Sequence, residues 1–438
     1  MSETRNELQV GTTYFLEAAK GYHLGLNGSA QGWVHDLRLK GLEEFEAQGL
    51  PTSKLEGWRY TSLKSVGLTK LKEVGPSDLS SVDLDNVGIP SVDATRVVLN
   101  NGVFDEGASN LEGIPQGVLV TSLADAFLNH RDLVERNLAQ HVDIQSEAFA
   151  ALNTAFLEGG VFVYVPKGVV VEKPIHLVTI NTDGGVSHPR CLVVLEPSSQ
   201  AVVYESYCGN NEDEYLNNVV TEFHLGANAH LKNIRFQAES IRSYHFATIL
   251  VRQERSSSFN SHLVSLGGGI ARTHIEATVL GEGADCQLRG LYCVDGRRHA
   301  DVHILMDHAK PHCTSHQHFK GVVGDKGTSV FDGKVLVRED AQKTDAIQRN
   351  NNLLLSRNAQ ANTRPQLEIY ADDVKCGHGA TVGQLDENQI FYLRSRGLDL
   401  ESARRELTYA FANEVLNTIK DASARDFLES AVRKRLQE

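Results

Sequence analysis

The hydrophobic pattern divides the chain into a helical start, a long β region and a helical end. In residues 33–46, Val34, Leu37, Leu42 and Phe45 recur at the spacing of one helix face. Residues 66–118 mix short strands with Gly, Asp and Pro turns, and residues 121–158 are helical again. The pattern therefore predicts a helical or mixed N-terminal region over residues 1–158.

From residue 161 onward, short β-rich runs with turns between them replace the helical period. Small residues in similar turn phrases stand at positions 199, 229, 257, 284, 327, 341 and 359, with gaps of 30, 28, 27, 43, 14 and 18. The gap of 43 fits two turns run together. A period near the solenoid range favours stacked coils over a sandwich. The fold class is therefore mainly β, with a right-handed parallel β-helix core over residues 159–385.

Stacking also predicts which parts of such a core lack a neighbouring coil. Each coil is too short to bury its own apolar face, so neighbouring coils supply the core and satisfy each other's backbone groups. The two ends of the stack remain as edges that invite association. We expect the N-terminal region to cover the first end and the strand around residue 376 to form the last, a natural docking edge.

Residues 386–438 return to a helical period and predict a C-terminal helical domain. Asp386 begins one helix, which Gly397 ends, and Asp399 is placed to N-cap the next. The second helix has an apolar stripe made of Leu400, Ala403, Leu407, Ala410, Phe411 and Leu416. A stripe of this kind either packs on the β body or binds a partner, and the pattern alone leaves both open.

The strand before these helices contains the most reactive pair in the chain. In a two-residue period Cys376 and His378 point to the same face, about 7 Å apart along the strand. A thiolate and an imidazole both suit iron or cluster chemistry, but two ligands do not hold a metal alone. A buried thiol beside a hydrogen-bonded histidine is the structural alternative.

Three segments together carry a resemblance to a known family. They are LPTSKLEGWRYTSL (residues 50–63), NNNLLLS (350–356) and LEIYADDVKCGHGATVG with DENQIFYLRSRGL (367–398). They closely resemble the SufD-type subunits of the SufB/SufD family, scaffold proteins of the SUF iron–sulfur cluster assembly system. The resemblance covers nearly the whole chain and implies a non-catalytic scaffold subunit.

The resemblance also implies partners and a site. A SufB paralogue would pair through the β-helix edge, and Cys376 and His378 would belong to a shared, transient iron or cluster site there. The ATPase SufC would dock on the C-terminal helices, with Leu407 and Phe411 as contact residues. No cofactor would be stably bound by this chain alone, and a reduced flavin is conceivable in the complex. Self-association without partners stays open.

Composition narrows the class of partner. The chain has 438 residues, 41% of them hydrophobic and 23% charged, with a net charge of -13, which argues against nucleic acid and anionic membrane surfaces. No membrane-spanning run or signal-peptide core occurs. The six cysteines form no Cys-x-x-Cys pair, which favours a reducing, cytoplasmic setting.

A second concentration of candidate ligands lies at His308, His312, Cys313, His316 and His318, with His299 and His303 upstream. Its spacing matches no standard zinc arrangement, and strands would scatter these side chains over two faces. We therefore favour a polar surface or interface ladder over a metal site. No phosphate-binding P-loop, G-x-S-x-G or H-E-x-x-H motif occurs, so a nucleotide-driven step needs a separate ATPase chain.

Two alternatives remain at this stage. A SufB-type subunit would hold the cluster directly, but that type carries an acidic residue just after the histidine, where this chain has Gly379. A β-helix carbohydrate-active enzyme would need carboxylates aligned along one groove, and the acidic residues show no such register.

Overall fold

The computed structural model describes residues 2–25, 32–90, 92–182, 184–209 and 213–437 of the chain. Within these ranges the helices are α1 (Ser2–Gly25), α2 (Gly32–Gln48), α3 (Lys64–Leu68), α4 (Leu123–Asn129), α5 (Arg131–Glu135), α6 (Ala148–Ala155), α7 (Glu387–Ser395), α8 (Leu400–Leu416) and α9 (Ala422–Arg435). In the same ranges, no helix is long and apolar enough to cross a membrane.

The strands of the first half are β1 (Thr95–Asn100), β2 (Val103–Asn110), β3 (Leu119–Ser122), β4 (Gly160–Val165), β5 (Ile175–Asn181), β6 (Gly185–Ser187), β7 (Arg190–Leu195), β8 (Gln200–Gly209), β9 (Tyr215–Leu225) and β10 (His230–Ala238). Those of the second half are β11 (Tyr244–Gln253), β12 (Ser258–Ser265), β13 (Ile270–Val279), β14 (Asp285–Val294), β15 (His299–His308), β16 (Thr314–Val323), β17 (Thr328–Val337), β18 (Asp345–Leu354), β19 (Gln360–Ile369) and β20 (Lys375–Gly383).

From β8 onward the chain alternates between two sheets, so that each coil contributes one strand to each. The sheet here called the even sheet runs β2-β1-β5-β8-β10-β12-β14-β16-β18-β20. The odd sheet runs β19-β17-β15-β13-β11-β9-β7-β4-β3. Pairing between successive coils is parallel and in register, as in Arg289↔His318. The predicted parallel β-helix with helical regions at both ends of the chain is confirmed.

The turns explain the irregular gaps in the sequence. One column of turns contains left-handed residues at Ser198, Asn228, Ser256, Gly283, His312 and Lys343, which are 27 to 31 residues apart. Their amides bond to the next coil, for example His312 N–H to the Gln342 carbonyl at 2.9 Å. Positions 327 and 359 belong to a second column, in which Lys326 N–H bonds to the Gly296 carbonyl at 3.0 Å. The gap of 43 between positions 284 and 327 spans the turn at His312, which the small-residue pattern did not mark. Two intervals between turns therefore appear in the sequence as one, as expected.

Alternate side chains of the two sheets form one apolar interior. Val203, Phe223, Leu263 and Val335 belong to it, each no more than 3% exposed. The interior begins before residue 159, because β1 pairs in parallel with β5 and adds Val97 to the same core. The sequence placed β1 in the N-terminal region, yet this strand extends the even sheet.

Helices cover the outer faces of the sheets. Phe15 of α1, Phe45 of α2 and Phe149 of α6 pack with Phe246 and Leu250 on the odd sheet. Val415 and Leu416 of α8 and Leu428 and Val432 of α9 pack with Phe236, Val264, Leu291 and Val322 on the even sheet. The N-terminal helices thus lie on a face of the solenoid. Other parts of the N-terminal region, at Phe104, Leu111, Ile114 and Val118, pack against the same apolar interior as Val97 of β1. The strands β19 and β20 terminate the two sheets at the other end.

Candidate functional site

The candidate site lies at the last coil of the solenoid. The turn that precedes this coil makes the same kind of hydrogen bonds as the earlier turns of its column. Lys343 N–H donates to the Asp373 carbonyl at 2.6 Å, and Asp373 N–H donates to Gln342 Oε1 at 3.0 Å. The Lys343 ammonium also pairs with the Asp373 carboxylate. The column of turns therefore continues to this coil and sets the register of β20 on β18.

Strand β20 has one paired edge and one free edge. Lys375 N–H bonds to the Thr344 carbonyl at 2.8 Å, which directs this amide toward β18. In a parallel ladder alternate residues bond to opposite sides. The amides of Cys376, His378, Ala380 and Val382 consequently face away from β18, along the edge at which the even sheet ends. An edge of this kind is a template for a further strand.

Cys376 and His378 share the inward face of this strand, as the two-residue period predicts. They lie opposite Ala346 and Gln348, both of which are fully buried. Cys376 is half-buried against the interior core, and burial raises the pKa of its thiol. His378 is exposed because no later coil stacks on it. Within the described part of the chain, no side chain forms a hydrogen bond or ion pair with its imidazole.

Glycines leave the opposite face of the same strand bare between Lys375 and Thr381. A methyl group at Gly377 would contact only the side chain of Ile347, at 3.7 Å. At Gly379 nothing lies within 4 Å. A strand without side chains on one face allows another backbone or a ligand to approach closely.

The donor set is incomplete within this chain. No group of three or more His, Cys, Asp or Glu side chains in the described ranges could hold a metal ion. An iron–sulfur cluster usually takes four protein ligands, and iron accepts both thiolate and imidazole. Cys376 and His378 could therefore supply at most part of a ligand set, on a surface that is open to a second chain.

Large apolar side chains are exposed on β20 and on the segments just before and just after it. Tyr370, just after β19, is 64% exposed, and Phe391 of α7 is 73% exposed. Val382 of β20 and Tyr392 of α7 are also exposed. Large exposed apolar side chains on the elements that adjoin an unpaired strand favour protein association.

The C-terminal candidates Leu407 and Phe411 lie on α8 and are both half-buried. The Lys320 ammonium lies 4.1 Å from the centre of the Phe411 ring and donates to the Phe411 carbonyl at 3.1 Å. The face of α8 that packs on the sheet contains Thr408, Ala412, Val415 and Leu416, so the buried stripe is rotated from the predicted one and leaves Ala410 exposed. A partner-binding role for Leu407 and Phe411 stays a prediction.

The histidine concentration is scattered, as the strand context predicts. His308 is buried inside the solenoid with Nε2 2.8 Å from Ser315 Oγ, and His312 lies in a turn with a φ of 59°. His303 lies on the odd sheet, with Nε2 2.9 Å from Asp301 Oδ1, and His318 lies half-buried on the even sheet. These side chains form no common site within the described ranges.

Sequence reasoning missed a buried group of charges, here called the interior ion cluster: Glu205, Arg235, Glu239 and His245. Arg235 Nη1 lies 2.6 Å from Glu205 Oε2, and His245 Nδ1 lies 2.8 Å from Glu239 Oε2. Burial by itself raises the pKa of the Glu239 carboxyl, but the contacts with His245 outweigh it and hold that pKa below its ordinary value. Glu205 of β8, Arg235 of β10 and His245 of β11 stand at inward positions of their strands, and Glu239 directly follows β10. This register is the signal in the sequence that could have revealed the cluster.

Comparisons with known proteins agree over most of the chain. A family model described as SUF system FeS cluster assembly, SufBD core domain, matches residues 178–411, and one for the SufBD protein N-terminal region matches residues 24–177. An iron–sulfur cluster assembly SufBD family protein of Synechocystis is 34% identical over 87% of each chain. The iron–sulfur cluster assembly protein SufD of Escherichia coli is 31% identical, covering 94% of this chain and 97% of its own. SufD of Bacillus subtilis is 26% identical, over 92% and 94%.

Proposed function

The chain belongs to the SufBD family of iron–sulfur cluster assembly proteins, and from this premise we propose that it is a non-catalytic scaffold subunit working with a SufB paralogue and the ATPase SufC. That it is a subunit for iron–sulfur cluster assembly follows from the family. The separate roles of this chain, SufB and SufC, and the surfaces through which they bind each other, are the proposal. The SufB-type reading and the carbohydrate-active enzyme are not favoured by these relatives.

The observation that carries the proposal is the free edge of β20. Within the described residues no strand lies beside the amides that face away from β18, at Cys376, His378, Ala380 and Val382. Large apolar side chains are exposed on the segments that flank β20, Tyr370 before it and Phe391 after it. Pairing with a strand of SufB would satisfy these amides, and the same partner could cover the exposed apolar side chains of the flanking segments. In the absence of SufB, a second copy of this chain could pair through the same edge.

At that interface Cys376 and His378 would form one half of a shared site for the cargo. Iron or a nascent cluster would be held transiently, with the remaining ligands from SufB. The half-buried Cys376 has a thiol whose pKa is raised by burial, so at neutral pH it is a poor ligand until it loses its proton. His378 is exposed and can bind iron directly. We therefore assign His378 the larger role in holding the cargo. A reduced flavin, if one is bound, would belong to the assembled complex.

The C-terminal helices would contact SufC. They pack on the outer face of the even sheet, where the Lys320 ammonium joins β16 to α8 through Phe411 and Glu414. ATP-driven pairing of two SufC subunits would pull on the tails of SufB and SufD-type subunits and open or shift their shared edge. Such coupling requires SufC to bind the two arrangements with different affinity.

The test uses a proline that blocks the free edge only. Ala380→Pro removes an amide that faces away from β18 and leaves the β18 bonds intact, which edge strands tolerate. Ala380→Ser is the matched control. We expect the proline variant to fold but to lose SufB in co-purification from cells that also express SufC, and the serine variant to retain it. SufB recovered equally with both variants would refute the proposed edge.

A further inference from the structure

Three ionisable side chains occupy consecutive positions on the outer face of the even sheet. Arg289 of β14 lies beside His318 of β16, and His318 lies beside Arg349 of β18. Parallel strands are about 4.8 Å apart, so the column is about 10 Å long. It continues to Gly379 of β20, where no side chain follows. Arg289, His318 and Arg349 are here called the basic ladder.

The positive charge of the basic ladder comes from its two arginines, because burial, together with the nearby Lys320 ammonium, lowers the pKa of His318. Arg289 is half-buried, and its guanidinium donates only to amide oxygens, Asn260 Oδ1 at 3.3 Å and Gln287 Oε1 at 3.1 Å. Among the described side chains, none carrying a carboxylate forms an ion pair with Arg289 or Arg349. Burial lowers the pKa of Arg289, because it destabilises the charged guanidinium. A bound anion would offset this destabilisation.

Nearby carboxylates are already engaged. Asp285 accepts hydrogen bonds from Thr314 and Gln287, and Glu414 pairs with the Lys320 ammonium. Asp345 Oδ1 lies 3.5 Å from His316 Nε2. Within the described residues, the guanidinium groups of Arg289 and Arg349 are therefore left without a carboxylate in direct contact.

The ladder lines a continuous groove. One part is formed by Arg289, His316, His318, Ile347 and Arg349. The adjoining part is formed by His318 and Arg349 together with His378, Gly379 and Glu414. The groove thus runs along the sheet beside α8 and opens at the bare face of β20.

We propose that the basic ladder is a binding site for a small polyanion that carries two or three oxyanion groups, such as a diphosphate or a tricarboxylate. Each guanidinium can hold one oxyanion through paired N–H donors, and His318 can donate between them. The length of the column matches a ligand with several linked oxyanion groups and exceeds the diameter of a single chloride ion. An anion held there would lie next to His378, but the inference does not depend on any role of that residue.

The experiment compares two double variants of the full chain. Arg289→Gln with Arg349→Gln removes the two fixed charges of the ladder. Arg255→Gln with Arg357→Gln removes two exposed arginines from turns of the same solenoid and is the matched control. Binding of sodium pyrophosphate, and separately of sodium citrate, is measured by titration calorimetry at low salt. Circular dichroism and the thermal midpoint establish that each variant is folded.

The wild-type chain is expected to bind at least one of the two anions, with affinity that falls as sodium chloride is added. The ladder variant should bind at least about tenfold more weakly, because each charge-assisted hydrogen bond contributes to affinity. The control should bind like the wild type. Preference for pyrophosphate or for citrate identifies the class of oxyanion. Absence of binding to both anions, or an equal loss in the control variant, overturns the proposal, and neither result bears on the edge of β20.

Discussion

Arg235→Met tests whether the solenoid depends on the charges enclosed within it. Arg235 and Glu205 are each 1% exposed and lie 2.6 Å apart. Methionine retains most of the aliphatic volume of arginine but leaves the Glu205 carboxylate without its cation. Because water does not reach this position, the loss should fall on the stability of the fold rather than on its surface.

The magnitude follows from the contacts of Glu205. Removing one partner of a buried ion pair costs about 3 to 5 kcal/mol. Here the carboxylate keeps donors from Asn233 at 2.9 Å, from Tyr207 at 2.8 Å and from Thr221 at 3.1 Å. We therefore expect the lower end of that range, about 3 kcal/mol, for the pair. The Arg235 guanidinium also lies 4.2 Å from the centre of the Tyr207 ring, and the lost cation–π contact adds about 1 kcal/mol.

The assay is urea unfolding followed by circular dichroism, with comparison of transition midpoints because solenoids need not unfold in two states. Glu205→Gln with Arg235→Met removes both charges and should recover at least half of the loss. Arg255→Met, in an exposed turn, is the control and should change stability by less than about 0.5 kcal/mol. An Arg235→Met chain as stable as that control, or a double variant as unstable as the single one, would refute the reasoning.

Two further predictions concern acid stability and the C-terminal helices. Burial lowers the histidine pKa from 6.5 to about 3 at His176 and to about 4 at His262 and His308. These groups bind protons more readily when the chain is unfolded, so stability should fall as pH drops from about 6.5 to 4, by up to about 1.4 kcal/mol per pH unit for each histidine. Urea midpoints at pH 7 and pH 5 measure this, and equal midpoints would contradict it. Leu407→Asp with Phe411→Asp should abolish co-purification of SufC while the solenoid remains folded, since a buried, unpaired charge costs several kcal/mol. Leu407→Asp alone leaves the contact of Phe411 with Lys320 in place, so it tests the loss of partner contact by itself. Undiminished SufC binding by the double variant would argue against this surface.

The sequence predicts the solenoid because small coils need neighbours, and this need appears as recurring turns. It does not distinguish the two columns of turns, since positions 327 and 341 have similar composition but lie on different sides. In the turn at His312 the left-handed residue is followed by Cys313, whereas Ser or Ala follows it in the four earlier turns of the column, so small-residue composition did not reveal this turn. Period, rather than turn chemistry, is the stronger signal in this fold.

The site is predictable to the extent that it is local. A two-residue period suffices to place Cys376 and His378 on one face of one strand. That this face is the inside of the last coil, and is exposed for that reason, depends on the stacking of the whole chain. The interior ion cluster and the basic ladder depend on register between strands about 30 residues apart.

The most direct test of the shared-site claim is the iron and acid-labile sulfide content of the complex purified with SufB and SufC. His378→Ala is compared with Cys376→Ser and with His230→Ala, an exposed histidine on β10 that serves as the control. We predict that all three variants assemble with their partners, that His378→Ala lacks clusters, that Cys376→Ser retains a reduced amount and that His230→Ala matches the wild type. Clusters at the wild-type level in the His378→Ala complex would contradict a role for this chain in holding the cargo.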